Sequence, residues 1–267
     1  MEREIDMSLK QKKIIITGAS TGLGKQIAFS AARQGAALIL LARNREKLSA
    51  VASECLQMGA PTARYYEVDL QSAEQIDGFL DELQVEKIVA DILVNNAGHG
   101  YNQDFLSLDF TLARAMFEVN VLALMYLSQK IVMQMLSKGS GHIINIASLA
   151  GKVASPQSAV YAASKAAVIS FSNSLRLELK PMNIQVSTVN LGPMDTSFFD
   201  DFDPDKKYLQ RVEMIALQPD RVADKVIQLM NNPKRELNLP VSLHIATRLS
   251  QICPALSEWV IERLNIK

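Results

Sequence analysis

The chain has 267 residues, 48% of them hydrophobic, which is enough to bury a sizeable core in one large α/β domain. It carries 28 basic and 28 acidic residues, and this zero formal net charge argues against a nucleic-acid partner or an anionic membrane surface. The three histidines are not spaced as metal ligands and no carboxylate pair suggests hydrolysis, so we predict neither a metal site nor hydrolytic chemistry.

The cysteines and the N-terminus indicate the compartment. Cys55 and Cys253 are far apart and belong to no CxxC or Cys/His cluster, which favours reduced thiols over a disulfide framework or a zinc site. The N-terminus lacks the apolar core of a signal peptide, and we expect no stretch to reach the ~20 apolar residues of a membrane span. These features predict a soluble, cytoplasmic protein.

Six short apolar runs alternate with longer segments of helical spacing. They lie at 14–17, 37–42, 63–69, 91–98, 141–148 and 184–192. Strands buried on both faces of a parallel sheet read as continuous apolar runs, and each interval leaves room for a crossover helix. The pattern predicts a single-domain α/β fold, a Rossmann-type doubly wound parallel sheet with helices on both faces. Ligands of such sheets bind outside the carboxyl ends of the strands.

A glycine-rich segment, TGASTGLG at 17–24, joins the first run to a helical pattern. A helix that begins directly after a strand points unpaired N–H groups at the turn, and glycine lets a pyrophosphate approach the backbone. The alternative is a flexible turn, since a glycine-rich match alone is weak. Gly18, Gly22 and Gly24 have GxxxGxG spacing rather than GxGxxG, and no GxxxxGK indicates a nucleotide triphosphatase.

Four further motifs follow in chain order. NNAG occupies 95–98 at the end of the fourth run, Asn120 lies in the next predicted helix, Ser148 ends the fifth run, and YAASK occupies 161–165. With the glycine spacing, these motifs make residues 10–200 resemble the short-chain dehydrogenase/reductase family. The resemblance implies a nicotinamide cofactor, a small carbonyl or alcohol substrate, and the catalytic residues Asn120, Ser148, Tyr161 and Lys165.

The YxxxK spacing has its own chemical rationale. Residues four apart lie on one face of a helix, so Tyr161 and Lys165 can serve one reacting centre. Lowering the pKa of a phenol from ~10 by ~3 units takes about 4 kcal/mol, which an ammonium and the nicotinamide ring can supply. In carbonyl reduction Tyr161 would donate the proton and Ser148 would hydrogen-bond the same oxygen. The resemblance also implies that Lys165 contacts the nicotinamide ribose and that Asn120 takes part in a water-mediated proton relay that reaches Lys165.

The second run ends in ARNREKL, 42–48, where an NAD site places an acidic residue against the ribose 2′-hydroxyl. Arg43 and Arg45 instead offer cations for a 2′-phosphate, and Arg43 is the better candidate. A charge pair at 4 Å is worth about 4 kcal/mol at an effective dielectric near 20, before desolvation. The alternative is a pair of solvated arginines at a helix start. We therefore predict NADP(H) in preference to NAD(H).

The resemblance extends the cofactor site along the sheet edge. Asp69 matches the family position beside the adenine ring, and NNAG borders the adenosine while bracing the sheet. In NLGPMDT, 190–196, Leu191 replaces the family's proline, which lowers the stiffness of the loop, and Thr196 is a candidate contact. The predicted cofactor-binding residues are Gly18, Ser20, Thr21, Gly22, Leu23, Gly24, Arg43, Asp69, Leu70, Asn96, Ala97, Gly98, Tyr161, Lys165, Gly192 and Thr196.

Residues 196–215 mix aromatic and charged side chains where the family keeps its substrate lid. Phe198, Phe199 and Phe202 would line an apolar pocket, which predicts a bulky, hydrophobic ketone or aldehyde; packing within a surface loop is the alternative. His99 is interpreted as a turn residue. The helix predicted at 219–231 is interpreted as scaffold.

The remainder, 235–267, predicts a short edge strand at 235–240 and a helical extension from 241. Two apolar stripes mark its helices: Ile245, Leu249, Ile252 and Cys253, then Leu256, Trp259, Val260 and Leu264. This tail resembles those of steroid-dehydrogenase-like members, and packing over the active site or on a neighbouring subunit is the leading interpretation. Membrane contact is the minority one, because Glu258 and Glu262 dilute the basic charge that such helices favour.

The sequence thus predicts an NADPH-dependent reductase of an apolar ketone or aldehyde, or the reverse alcohol oxidation. One alternative is a 3-oxoacyl thioester reductase, although the tail lacks the Gly-rich ending of that branch. Another is a non-catalytic NADP(H)-binding sensor or scaffold, which has little need of the catalytic residues. Helices around 104–137 and 155–180 form the dimer interface in the family, which implies a homodimer or homotetramer.

Overall fold

The computed structural model describes residues 9–154, 156–194, 196, 198, 202 and 216–263, with the backbone alone at 256, 257 and 260–262. The strands are β1 Lys13–Thr17, β2 Ala37–Ala42, β3 Ala63–Glu67, β4 Ile92–Asn95, β5 Gly141–Ser148, β6 Ile184–Leu191 and β7 Glu236–Leu239. They form one parallel sheet in the order β3-β2-β1-β4-β5-β6-β7. The order reverses between β1 and β4, which places the ligand-binding crevice at their carboxyl ends.

Helices cover both faces of this sheet, as the sequence predicts. They are α1 Gly22–Arg33, α2 Arg45–Gln57, α3 Ala73–Val85, α4 Phe110–Phe117, α5 Leu124–Lys138, α6 Ala159–Leu179, α7 Pro219–Asn231, α8 Val241–Ile252 and α9 Pro254–Arg263. Successive side chains of a strand point to opposite faces. Ile14 and Ile16 therefore pack with α1, α2 and α7, while Ile15 packs with α3 and α5.

The third run differs from its prediction. It ends at Glu67 rather than at 69, and Arg64 and Tyr65 are exposed. The reason is its place in the sheet, because β3 is the edge strand beyond β2 and does not share the double burial of the inner strands. At the opposite edge, the short strand expected at 235–240 is confirmed as β7, paired in parallel with β6.

The helical segment Phe110–Lys138 begins six residues later than predicted and contains a π-helical turn at Glu118–Ala123. By length and composition alone it is long and apolar enough to cross a membrane, which the sequence analysis did not expect. Leu127, Ile131 and Met135 of this segment are fully buried and pack with the core on the α3 side of the sheet. Part of the apolar composition of the segment therefore supplies the core.

A buried hydrogen-bond network of amide and hydroxyl groups connects the strands at the centre of the sheet to α5 and α6. Asn95 donates from Nδ2 to Asn145 Oδ1 at 2.8 Å and to Ser128 Oγ at 2.9 Å. Asn145 in turn donates to Ser172 Oγ of α6 at 2.8 Å. Buried polar groups are costly unless paired, so these bonds favour one register of β4, β5 and α6. The strand ends that carry the site are fixed relative to one another.

Candidate active site

A cleft of about 1090 Å³ opens at the carboxyl ends of the strands. Of the predicted cofactor-binding residues, all but Gly24 line it, and Ser148 lies on its wall as well. These residues come from the ends of β1 to β6 and the loops that follow them, and from α6. The sheet thus brings to one place groups that lie almost 180 residues apart along the chain, from Gly18 to Thr196.

The glycine segment has little room for side chains. Gly18 has φ +64°, and a Cβ there would lie 2.9 Å from Ala97 Cα. A Cβ on Gly24 would lie 2.2 Å from the carbonyl oxygen of Gly18, so this glycine lets α1 start close behind the loop. The N–H groups in the first turn of α1 have no intrahelical acceptor, and Gly22 and Leu23 of that turn lie at the cleft. This arrangement fits an anionic group such as a pyrophosphate.

Thr17 connects this loop to the next one, a role that the sequence reasoning missed. Its Oγ1 accepts the backbone N–H of Asn96 at 3.0 Å and of Ala97 at 2.9 Å. The Asn96 side chain donates back to the carbonyl oxygen of Thr17 at 2.9 Å. The threonine at the end of a strand, directly before the first glycine, is the sequence signal for this contact.

Tyr161 and Lys165 lie one turn apart on α6, as their spacing predicts. The ammonium of Lys165 lies 5.9 Å from the centre of the Tyr161 ring and donates to the carbonyl oxygen of Ile146 at 3.1 Å. Lys165 is 6% exposed, and burial lowers its pKa from 10.5 to about 8. At neutral pH it is therefore mostly a buried cation beside the phenol ring.

Asn120 lies behind the cleft wall in the π-helical turn, not on the wall itself. Its Oδ1 accepts the backbone N–H of His99 at 3.0 Å, and its Nδ2 donates to the His99 carbonyl oxygen at 2.9 Å and to Ser164 Oγ at 3.1 Å. A Cβ on Gly98 would lie 2.8 Å from Asn120 Oδ1 and 3.4 Å from Lys165 Nζ. Asn120 thus holds the 98–99 backbone beside the lysine, and His99 reaches the cleft wall.

Ser148 ends β5 with its hydroxyl group engaged on both sides. Its Oγ accepts the backbone N–H of Ala150 at 3.1 Å and donates to the carbonyl oxygen of Leu191 at 3.1 Å. The loop after β6 continues from Leu191 to Gly192, whose N–H donates to Leu239 O at 2.7 Å. Thr196 then reaches the glycine segment, since a Cβ on Gly22 would lie 3.5 Å from Thr196 Cβ.

The two arginines after β2 take different positions. Arg43 is exposed and lies on the cleft, whereas the Arg45 guanidinium lies 5.8 Å from the centre of the Tyr65 ring. Asn44 caps α2 by accepting the backbone N–H of Lys47 at 2.8 Å, and Lys47 also lies on the cleft. The sequence reasoning missed Lys47, although it stands four residues after Arg43.

Asp69 and Leu70 lie on the cleft after β3. Asp69 Oδ1 accepts the N–H of Gln71 at 3.0 Å, and its own N–H donates to Gln75 Oε1 at 2.8 Å. The carboxylate is therefore partly committed to the turn that starts α3.

A cluster of aromatic rings packs against Tyr161. The ring centres of Phe198 and Phe202 lie 5.8 and 5.4 Å from that of Tyr161, and the two phenylalanine rings stack at 5.4 Å. Phe199, Leu264 and most of the predicted lid, 197, 199–201 and 203–215, lie outside the described residues. Helix α8 adds Leu243, Ala246 and Leu249 to the lining of the cleft.

Histidines, cysteines and carboxylates do not gather around this cleft in the part of the chain that the structure describes: no group of three or more is placed to hold a metal ion there. The chemistry of the cleft residues is that of proton donors, cations and backbone amides.

Known proteins resemble this chain over most of its length. A family model described as short chain dehydrogenase matches residues 12–207. A Drosophila melanogaster protein named dehydrogenase/reductase SDR family protein 7-like is 31% identical over 97% of this chain and 82% of its own length. A short-chain type dehydrogenase/reductase from Mycobacterium marinum superposes with a TM-score of 0.80 at 28% identity, covering 87% of this chain and 95% of that one. An alcohol dehydrogenase from Thermococcus sibiricus, complexed with 5-hydroxy-NADP, gives 0.77 at 28%, covering 86% and 96%.

Proposed function

This chain belongs to the short-chain dehydrogenase/reductase family and is an NAD(P)-dependent oxidoreductase, and on that premise we propose that it reduces a bulky, apolar ketone or aldehyde with NADPH. The reverse oxidation of the secondary alcohol uses the same groups. The observation that carries the proposal is that Ser148, Tyr161 and the buried Lys165 cation line one cleft, with the ammonium of Lys165 beside the Tyr161 ring.

The cleft fits a dinucleotide because its glycine segment, which has no room for a Cβ at Gly18 or Gly24, presents the open first turn of α1. Gly18, Gly22 and Leu23 would hold the pyrophosphate, and Asp69 would border the adenine. A nicotinamide cofactor supplies the hydride when it is bound. All other tasks fall to side chains of this protein.

Those tasks are binding the carbonyl oxygen and delivering a proton to it. The Tyr161 hydroxyl donates the proton, and the nearby Lys165 cation stabilises the phenolate that remains. The Ser148 hydroxyl turns its hydrogen from Leu191 O to the substrate oxygen while it keeps the N–H of Ala150. Asn120 keeps the backbone beside Lys165 in place through both polar atoms of His99.

The preference for NADPH rests on Arg43 and Lys47. Both cations lie on the cleft beyond β2, where a 2′-phosphate would be bound, and they enter the cleft from the start of one helix. A phosphate attracts each of them, whereas a ribose hydroxyl gains little. The similar alcohol dehydrogenase from Thermococcus sibiricus binds an NADP-type ligand, 5-hydroxy-NADP, which supports the proposal.

The proposal of an apolar substrate rests on the side chains that surround Tyr161. Phe198 and Phe202 pack against Tyr161, and Leu243 and Leu249 add carbon surface to the lining of the same cleft. Burial of such surface favours a substrate that is itself apolar, at about 25 cal/mol per Å² removed from water. We infer a ketone or aldehyde with a substantial hydrocarbon portion.

The direct test is turnover. Purified protein is mixed with NADPH and a panel of carbonyls that runs from small polar ketones through bulky apolar ketones and aldehydes to a 3-oxoacyl thioester, and nicotinamide absorbance is followed. We expect the apolar compounds to be reduced, and Tyr161→Phe to lower kcat by at least ~100-fold while still binding NADPH. Preference for the thioester would favour a 3-oxoacyl reductase, and NADPH binding without any turnover would favour a sensor.

We also propose a homodimer or homotetramer. Phe110, Leu122 and Met133 along the segment Phe110–Lys138 are 64%, 52% and 65% exposed, and Leu177 of α6 is 74% exposed. Large apolar side chains grouped on two long helices are typical of an interface between subunits. Light scattering coupled to gel filtration measures the mass directly, and a monomer would contradict the proposal.

A further inference from the structure

A buried ion pair lies beside the substrate end of the cleft, apart from the catalytic residues. Lys152 follows Ser148 by four residues, and its Nζ donates to Glu236 Oε2 at 2.5 Å and to Asn238 Oδ1 at 3.0 Å on β7. The two charged side chains are only 7% and 13% exposed. Burial opposes ionisation of Glu236, but the bonds from Lys152 and Asn238 outweigh it and hold its pKa below the usual value.

This pair joins four elements. The carbonyl oxygen of Lys152 accepts a hydrogen bond from Gln251 Nε2 of α8 at 3.2 Å. Asn238 Oδ1, which accepts from Lys152, also accepts from Asn190 Nδ2 of β6 at 2.8 Å. The residue after Asn190 is Leu191, whose carbonyl oxygen accepts the hydroxyl group of Ser148. The loop after β5, strands β6 and β7, and helix α8 thus meet at one buried charge.

The loop transmits its position directly to the catalytic residues. A Cβ on Gly151, the residue before Lys152, would lie 2.7 Å from the carbonyl carbon of Lys165 and 2.8 Å from the N of Ala166. The backbone at Gly151 therefore rests on α6 without a gap. On the other side of Lys152, Val153 and Ala154 form part of the cleft wall.

We propose that Lys152 and Glu236 are positioning residues for carbonyl reduction, whose ion pair holds the loop after Ser148 against β7 and α8 and so sets the distance between Ser148, Tyr161 and the substrate. The proposal rests on the proposed function. Neither residue touches the reacting atoms. Removing Glu236 leaves Lys152 as a buried cation without its carboxylate, and removing Lys152 leaves Glu236 with only the more distant Arg235 guanidinium, whose Nε lies 3.6 Å from Glu236 Oε1. Each single substitution breaks the same ion pair, so the two should have overlapping rather than independent effects.

The kinetic test compares Lys152→Met, Glu236→Gln and the double variant in the purified full-length protein. We expect each single substitution to lower kcat/KM for an active carbonyl by ~10-fold or more, mainly through kcat, and to leave the Kd for NADPH within about 2-fold. The double variant should be no worse than the poorer single variant. Arg64→Met and Glu86→Gln break an exposed ion pair at the β3 edge and should leave all constants unchanged.

Two outcomes of this experiment would overturn the proposal: single variants with the kcat/KM of the wild type, or losses that multiply in the double variant. Lys152→Arg keeps the cation and should restore most of the activity, which covers the case in which Lys152→Met folds poorly. A general loss of stability would not be rescued in kcat alone.

A second readout separates this proposal from the proposed function. In Lys152→Met, backbone hydrogen exchange should rise at 149–154 and 241–252 relative to Arg64→Met, whether or not any carbonyl is reduced. If the wild type reduces no carbonyl, the proposed function fails while the exchange data still test the ion pair. Unchanged exchange in both segments would show that the pair does not hold the loop.

Discussion

The ammonium of Lys165 lies 3.1 Å from the carbonyl oxygen of Ile146, and both residues are buried at the wall of the cleft. A single carbonyl dipole compensates a buried charge only in part, which is why burial lowers the pKa of Lys165 to about 8. An unfolded lysine titrates near 10.5. Below pH 8 Lys165 is protonated in both the folded and the unfolded protein, so the folded state bears the full free-energy cost of the buried charge. Above pH 10.5 Lys165 is neutral in both states and that cost is absent.

Stability of the cofactor-free protein should therefore rise between pH 8 and pH 10.5 through this group. Lys165→Met should be more stable than the wild type by about 3 kcal/mol below pH 8, and the two should converge towards pH 10.5, although the variant loses reductase activity. Urea unfolding across this pH range gives the difference. Lys130→Met, at an exposed lysine, serves as control. Parallel curves for the wild type and Lys165→Met would show that Lys165 is not strained by burial.

Gly24→Ala should abolish dinucleotide binding and destabilise the protein. The new Cβ would lie 2.2 Å from Gly18 O, so the glycine segment and α1 would have to separate. Gly78→Ala is the matched control, because that position lies inside α3 and a Cβ there meets nothing within 4 Å. It should raise the free energy of unfolding by about 0.5–1 kcal/mol and leave NADPH binding intact. NADPH fluorescence titration and thermal unfolding of both variants measure these effects.

Arg43→Glu should weaken NADPH binding by ~100-fold or more and leave NADH binding nearly unchanged, because the reversed charge repels only the 2′-phosphate. Arg45→Glu, at the arginine that lies over Tyr65, should change neither Kd by more than about 2-fold. Fluorescence titration of the wild type and both variants decides the matter. If Arg43→Glu and Arg45→Glu weakened NADPH binding equally, the loss would come from the changed net charge of the region and not from a contact between Arg43 and the 2′-phosphate.

Phe202→Ala should raise KM for bulky apolar carbonyls by about 10-fold, since it removes the ring that packs edge-on against Tyr161. For a small polar ketone kcat/KM should fall much less. The informative quantity is therefore the ratio of kcat/KM for the bulky apolar carbonyl to kcat/KM for the small polar ketone. Phe105→Ala, at a 64% exposed ring, is the control for loss of an aromatic group. A uniform loss for all substrates would mean that Phe202 supports Tyr161 and not the substrate.

Much of the fold could be predicted from the sequence, because the inner strands are buried on both faces. Ile14, Ile15 and Ile16 are apolar in succession for that reason, and the same logic located all six runs to within three residues at either end. It was wrong in detail for β3, whose exposure depends on a neighbour that the strand lacks. The glycine spacing and the YxxxK pair predicted part of the cleft lining, and resemblance to the family added Asp69, Asn96 to Gly98 and Thr196.

Other parts of the site have no local signature. Lys152 and Glu236 are 84 residues apart and look like ordinary charges until the strand order places them side by side. The contact of Phe202 with Tyr161 depends on the path of the chain between them. Asn120 was identified as a site residue by resemblance to the family. The π-helical turn that contains it could not be predicted from the spacing of the apolar residues.

That π-helical turn lets one helix have two independent faces. In a regular α-helix each residue advances by about 100°, so the direction of every side chain from Phe110 to Lys138 would be fixed by the first. The wider turn at Glu118–Ala123 interrupts that phase. The half before it can pack against α6, and the half after it against the core on the α3 side of the sheet, without compromise. Deleting one residue of the turn would restore the regular phase and set the two alignments against each other, although every side chain outside the turn would be unchanged.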